Sequence, residues 1–312
     1  MSRSPATPMD RPGVVLHFAD QADAAARLAA ALSLPCAAIE TRRFPDGETL
    51  LRLPVPLPPR ALLFCTLGSP DARLVELMLA ARTARDHRVA HLTLVAPYLC
   101  YMRQDSAFRP GEAISQRIVG GFLGALFDAV VAVDPHLHRI DRLDQAVSGG
   151  ATAVALTAAP ELGAWIARAA PDAVLVGPDE ESAQWVAAVA GHAGRPYAVF
   201  AKTRHGDREV EVLAAGATSG AAPDLAGRAV VLVDDIASSG RTLAQAARVC
   251  LEAGAASVDA AVTHALCGPG DLAVLHASGV SRLWSTDALP HPSNVVPLAP
   301  LIARGLRGHG LA

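Results

Sequence analysis

Residues 230–243 read VVLVDDIASSGRTL. Four apolar, mostly β-branched residues predict a buried strand, the acids Asp234 and Asp235 follow at its carboxyl end, and Ser238-Ser239-Gly240 turns into a helix that begins near Arg241. A strand leading through a turn into a helix is the repeating unit of open, mostly parallel sheets, whose ligands bind just beyond the strand ends. At that helix start the hydroxyls of Ser238, Ser239 and Thr242, with main-chain N–H groups, favour a phosphate, and the helix dipole helps. Two adjacent acids repel each other, so Asp234 and Asp235 suit sugar hydroxyls or magnesium, which prefers oxygen ligands. Ser239 as a simple helix cap and Asp234 as a turn residue account for the same letters with local structure alone.

The alternation extends outward from this segment in both directions. Before it, strands are expected at 173–177, 197–202 and 209–213 and a helix at 180–191; after it, strands at 257–263 and 281–285 with helices at 241–253 and 269–277. The first half repeats the theme. A strand at 14–18, a helix around 20–32, an extended stretch through 37–53 and strands at 61–67, 91–96 and 129–133 alternate with helices at 71–86 and 114–126. The common order of elements predicts two copies of one α/β fold with mostly parallel sheets, an N-terminal domain over 1–148 and a C-terminal domain over 149–312, divided at Ser148-Gly149-Gly150. The last helix, near 298–306, could pack on either.

Composition narrows the function. The chain has 312 residues, half of them apolar, and a formal charge of -3, which suits two α/β domains of ordinary size. With no concentrated block of Lys and Arg, nucleic acid is not an expected partner. No apolar run reaches the roughly 18 residues needed to cross a bilayer, so a membrane is not expected either. The leading MSRSPATPMDRPG lacks an apolar core and reads as a short disordered lead-in rather than a secretory signal. Cys36, Cys65, Cys100, Cys250 and Cys267 have no paired spacing, which argues against a disulfide framework or a zinc knuckle and for the cytoplasm. Of 27 basic residues only one is a lysine, Lys202. A chain that has nearly exchanged lysine for arginine keeps lysine by accident or where a compact ammonium is needed.

Residues 230–243 resemble the phosphoribosyl diphosphate fingerprint shared by type I phosphoribosyltransferases and ribose-phosphate pyrophosphokinases. Four other segments, each explicable locally as a turn, a cap or a strand end, separate the two. Arg43-Phe44-Pro45-Asp46-Gly47-Glu48 resembles the pyrophosphokinase segment that reaches the adenine of ATP on a neighbouring subunit. Arg103-Gln104-Asp105, within PYLCYMRQDSAFRPGE at 97–112, looks like that family's ATP site. His136 in VAVDPHLH and Asp179 in VLVGPD match its magnesium-binding positions, and Lys202 and Arg204 fall on its catalytic Lys-x-Arg loop. The resemblance spans about residues 14–306.

It implies two tandem type I phosphoribosyltransferase-like domains, the first on the ATP side and the second binding ribose 5-phosphate. Lys202 and Arg204 would be catalytic. Phe44, Asp46, Gly47, Glu48, Arg103, Gln104 and Asp105 would bind ATP, and Asp234, Asp235, Ser238, Ser239, Gly240, Arg241 and Thr242 would bind ribose 5-phosphate. Mg2+ would be the cofactor, and an ATP site shared between subunits would make the enzyme a homo-oligomer. The products would be phosphoribosyl diphosphate and AMP. Two rival readings remain at this point. A phosphoribosyltransferase explains the fingerprint but leaves the other segments idle, and a non-catalytic regulatory relative is favoured by the Ser238 to Arg241 departures from the usual loop.

Overall fold

The computed structural model describes residues 13–202, 210–213 and 223–312. They form two compact units, residues 13–156 with 298–312 and the described residues within 157–297. In the first, β1 (Val14–Phe18), α1 (Ala22–Leu32), β2 (Cys36–Arg43), β3 (Thr49–Arg52), β4 (Arg60–Phe64), α2 (Pro70–Asp86), β5 (His91–Ala96), α3 (Ser115–Leu126), β6 (Ala129–Val133) and β7 (Thr152–Leu156) follow in order. The sheet runs β3-β2-β1-β4-β5-β6-β7, with only β3 antiparallel to its neighbour.

The second unit holds α4 (Ala159–Ala169), β8 (Val174–Gly177), α5 (Ala183–Ala193), β9 (Tyr197–Lys202), β10 (Val210–Leu213), β11 (Ala229–Ala237), α6 (Arg241–Glu252), β12 (Ser257–Ala265), α7 (Pro269–Ala277), β13 (Val280–Thr286) and β14 (Asn294–Val296). Its sheet, β10-β9-β8-β11-β12-β13-β14, repeats the first strand for strand, with β10 as the antiparallel edge. The central strands β1, β4 and β6 are buried along their whole length, as parallel strands covered on both faces must be. Their apolar side chains, with those of the flanking helices, make one core in each unit.

The division falls after Leu156 rather than at Ser148-Gly149-Gly150. Thr152–Leu156 is too short and too plain to announce itself, yet it pairs along Ala129–Val133 as the seventh strand of the first sheet. The approach to it is unusually close. A Cβ built on Gly124 of α3 would fall inside contact distance of the Ser148 carbonyl oxygen, so residues 146–148 lie directly on the glycine face of that helix.

The helices after the two seventh strands are exchanged. The one that follows β7 is α4, which packs on α5 in the second unit. The one that follows β14 is α8 (Ala299–Gly308), which packs on α1 in the first unit. There Ile302, Ala303 and Leu306 are buried, Arg307 donates to the Ala31 carbonyl at 2.7 Å, and Arg60 donates to the Gly310 carbonyl at 2.8 Å.

Candidate functional site

In an open parallel sheet the crevice forms where the strand order reverses, beyond the carboxyl ends of the two strands that flank the reversal. Here those strands are β8 and β11 in the second unit, β1 and β4 in the first. The duplicated fold treats the two crevices in opposite ways.

In the first unit the crevice is filled by the chain itself. Gln21 donates to the Thr66 carbonyl at 3.0 Å and accepts from the Thr66 N–H at 2.7 Å, and both are buried. Arg73 covers the Phe18 ring at 4.3 Å and pairs with Asp20 at 2.7 Å and Glu76 at 2.9 Å. Each polar group has a partner within the unit.

In the second unit, among the described residues, the crevice is acidic. The strand β11 pairs with β8 only through Leu232, but with β12 on to Ala237, so its β8 side is unpaired from Val233 onward. Asp234 and Asp235 lie in that stretch. Burial, followed by the charges of Asp235 and of Asp179 at the end of β8, pushes the Asp234 carboxyl well above the usual carboxylate range. The main-chain N–H of Asp235, donating at 2.9 Å, compensates only in part. An acid held this way is improved by anything that donates hydrogen bonds or positive charge to it.

Asp179 opens the short 3₁₀ turn Glu180–Ser182 and accepts from the Ser182 N–H at 3.2 Å, so the helix expected at 180–191 instead starts at Ala183. It therefore caps a turn and also lends charge to the Asp234 pair.

After β11, Ser238 and Ser239 lead to Gly240, the N-cap of α6, at φ +68°. No side chain caps this helix, and Arg241 and Thr242 begin its first turn. A methyl group at position 240 would meet the fully buried Leu275 at 2.9–3.2 Å, so glycine is required both by the backbone and by the space. The result is a main-chain cradle at a helix N-terminus, the geometry that suits a phosphate.

The remaining predicted residues, Lys202 and Arg204 apart, lie in the first unit. Phe44, Asp46, Gly47 and Glu48 form the tip of the β2–β3 hairpin. Its turn is held by Phe44 N–H to Glu48 O at 2.8 Å and Glu48 N–H to Asp46 Oδ1 at 3.1 Å, and Phe44 stays exposed beneath Arg42. Arg103 is exposed and Gln104 half-buried, donating to the Ser106 carbonyl at 3.0 Å. Asp105 points inward. It is buried, pairs with Arg139 at 2.5 Å and lies 3.7 Å from His138, so it anchors the segment beside it. Tyr101, at φ +61°, donates to Asp71 Oδ1 at 2.5 Å and so ties the same segment to the start of α2. His136 is half-buried, two residues beyond the buried Asp134 at the end of β6. Arg204 lies outside the described residues, and of Lys202 only its place at the end of β9 is described.

Sequence reasoning passed over Arg139, which is 34 residues from Asp105. The only local signal was an arginine three residues after His136.

The first half matches the family model described as the N-terminal domain of ribose phosphate pyrophosphokinase, over residues 14–126, and the second matches the phosphoribosyl transferase domain, over 156–272. The ribose-phosphate pyrophosphokinase of Methanopyrus kandleri is 34% identical, with 94% of this chain and 98% of that protein covered. The chain belongs to the ribose-phosphate pyrophosphokinase family. It is accordingly an enzyme, a ribose-phosphate diphosphokinase. Ribose-phosphate pyrophosphokinase 2 of Archaeoglobus fulgidus is 31% identical, with 90% of this chain and 96% of that protein covered. The crystal structure of phosphoribosylpyrophosphate synthetase from Mycobacterium smegmatis superposes with a TM-score of 0.79 at 25% identity, over 95% of this chain and 98% of that one. A pyrophosphokinase first half excludes a plain phosphoribosyltransferase, in keeping with the two-domain reading. Among the described residues no helix is long and apolar enough to cross a membrane.

Proposed function

We propose that this pyrophosphokinase family member joins ATP and ribose 5-phosphate through the residues named above. The C1 hydroxyl oxygen of the sugar attacks the β-phosphorus of ATP, the bond from that phosphorus to the α–β bridging oxygen breaks, and AMP leaves with the electron pair. The attacking hydroxyl gives up its proton, and phosphoribosyl diphosphate is the other product. Asp234 and Asp235 accept from the ribose hydroxyls, and the cradle of Ser238, Ser239, Gly240, Arg241 and Thr242 holds the 5-phosphate. Arg103 and Gln104 hold the nucleotide, with Asp105 fixing their turn through Arg139. Lys202 and Arg204 neutralise charge that grows on the transferred phosphoryl oxygens. Catalysis is then mainly positioning and charge compensation.

Among the described residues no three His, Cys, Asp or Glu side chains gather into a metal cage. The carboxylate oxygens of Asp179, Asp234 and Asp235 fit a magnesium ion, which prefers oxygen ligands. His136, Asp179 and the acid pair are the candidates. When bound, the ion neutralises β- and γ-phosphoryl oxygens.

The exposed hairpin tip of Phe44, Asp46, Gly47 and Glu48 suits an adenine site completed by a neighbouring subunit, so the active form is a homo-oligomer. Five free cysteines suit the cytoplasm. The observation that carries this reading is the pair Asp234 and Asp235, on the stretch of β11 that β8 leaves unpaired, beside a main-chain cradle at a helix start. Its test is AMP formation from purified protein with magnesium and ATP, with and without ribose 5-phosphate. AMP that appears only with the sugar, in step with phosphoribosyl diphosphate, is expected; its absence from folded protein would favour a regulatory relative.

A further inference from the structure

The phosphate cradle at 238–242 is supported from below by the chain that follows β12. The carbonyl of Ala237, the residue just before the cradle, accepts from the N–H groups of both Leu266 and Cys267, at 2.8 and 3.0 Å. The carbonyl of Cys267 in turn faces His291 Nε2 at 3.0 Å. A carbonyl can only accept, so Nε2 carries the proton. On the other side of the ring the Ser293 N–H donates to Nδ1 at 3.2 Å, and the Ser293 hydroxyl lies 2.6 Å from the same atom. Two main-chain groups thus fix one tautomer of the ring.

His291 is itself held in place. It sits in the loop between β13 and β14, where Ser285 donates to Asn294 Oδ1 at 2.8 Å, Asn294 Nδ2 donates to the Leu289 carbonyl at 2.8 Å, and Thr286 donates to the Thr263 carbonyl at 2.6 Å. Every link from this loop to the cradle is a hydrogen bond to main chain. A histidine in a surface loop would ordinarily need no such arrangement. The Cys267 thiol, 3.7 Å from Nε2, invites a nucleophile–base reading, but burial pushes that thiol up and leaves it neutral and unreactive.

We propose that His291 is a positioning residue for the sugar-phosphate cradle, holding the carbonyl of Cys267 so that the N–H of the same residue, on its other side, stays on the Ala237 carbonyl and fixes the turn that follows. Its effect on turnover presupposes the ribose 5-phosphate reading above, whereas its hold on the cradle does not. Its side chain acts on the cradle through the Cys267 main chain.

The test uses the full chain, with amide hydrogen exchange over residues 237–243 and steady-state kinetics read side by side. His291→Ala removes one charge-neutral hydrogen bond and is expected to speed exchange in that segment about tenfold and to raise KM for ribose 5-phosphate by a similar factor. KM for ATP and kcat stay near their original values. His291→Gln, whose amide can donate to the same carbonyl, restores both readouts. Unchanged exchange over 237–243 in His291→Ala, or exchange raised throughout the second unit with no rescue by Gln, overturns the proposal. If His291→Ala does not fold, His291→Gln and His291→Leu, which fills the space without a donor, carry the comparison: normal exchange in the first and faster exchange in the second support it, and equal exchange overturns it. A wild-type chain without sugar-dependent AMP formation refutes the functional reading, while the exchange contrast still decides the role of His291.

Discussion

Gly240→Ala isolates the two reasons for a glycine at the centre of the cradle. At φ +68° a side chain pays roughly 1–2 kcal/mol for the left-handed conformation. Its Cβ would also meet the Leu275 Cγ at 2.9 Å, and because Leu275 is fully buried it has nowhere to swing. Over-packing of that kind adds about 1–3 kcal/mol. The expected total is about 2–5 kcal/mol, measured by urea denaturation followed through tryptophan fluorescence. Trp165, Trp185 and Trp284 all lie in the second unit, so this signal reports the unit that is changed. Leu275→Ala alone costs about 2–5 kcal/mol by opening a cavity. In the double variant the steric part disappears and only the backbone part remains. The two costs must therefore fall short of additivity by about 1–3 kcal/mol. Additive costs, within about 0.5 kcal/mol, would show that Leu275 does not limit position 240 and would refute the steric half of the reasoning. KM for ribose 5-phosphate should rise in Gly240→Ala with KM for ATP little changed.

Three further outcomes follow from the same structure. Asp234 has a raised pKa, so the folded chain binds its proton more readily than the unfolded one, and its ionisation costs stability as pH rises through the folded value. Asp234→Asn should then be more stable than wild type at neutral pH while losing ribose 5-phosphate affinity. That advantage should shrink as pH falls toward the ordinary carboxylate range, and a gap independent of pH would contradict the assignment. Lys202→Ala should lower kcat by about 10²–10³-fold, the loss typical of one transition-state charge partner, with ribose 5-phosphate binding by calorimetry nearly intact. Since Lys202 is the only lysine, acylation of a single side-chain amine should inactivate the enzyme and ATP should slow the loss. Leu306→Ala, in the exchanged helix α8, should cost the first unit about 2–5 kcal/mol. Circular dichroism would then show an earlier transition than tryptophan fluorescence, and equal shifts in both would argue against the placement of α8.

The sequence alone determined the elements whose cause is local. Alternating apolar runs and helical stretches announced two α/β halves, because a strand covered on both faces must be continuously apolar. VVLVDDIASSGRTL announced its own strand, acid pair and helix start, since strand, turn and cap chemistry are all set within a few residues. Tertiary structure decided whatever depends on partners distant in the chain. Thr152–Leu156 looks like any short apolar run until β6 offers it an edge. The helices α4 and α8 are exchanged because the buried face of each fits the other unit's helix, and no local pattern records which face that will be. Asp105 reads as a ligand beside Arg103 and Gln104, yet it turns inward because Arg139 lies there to meet it. The two crevices come from the same topology, and only side chains brought together by folding close one with Gln21 and Thr66 and leave the other to Asp234. Burial and long-range pairing have no signature at short sequence separation, so the letters located the chemistry while folding decided which residues could take part in it.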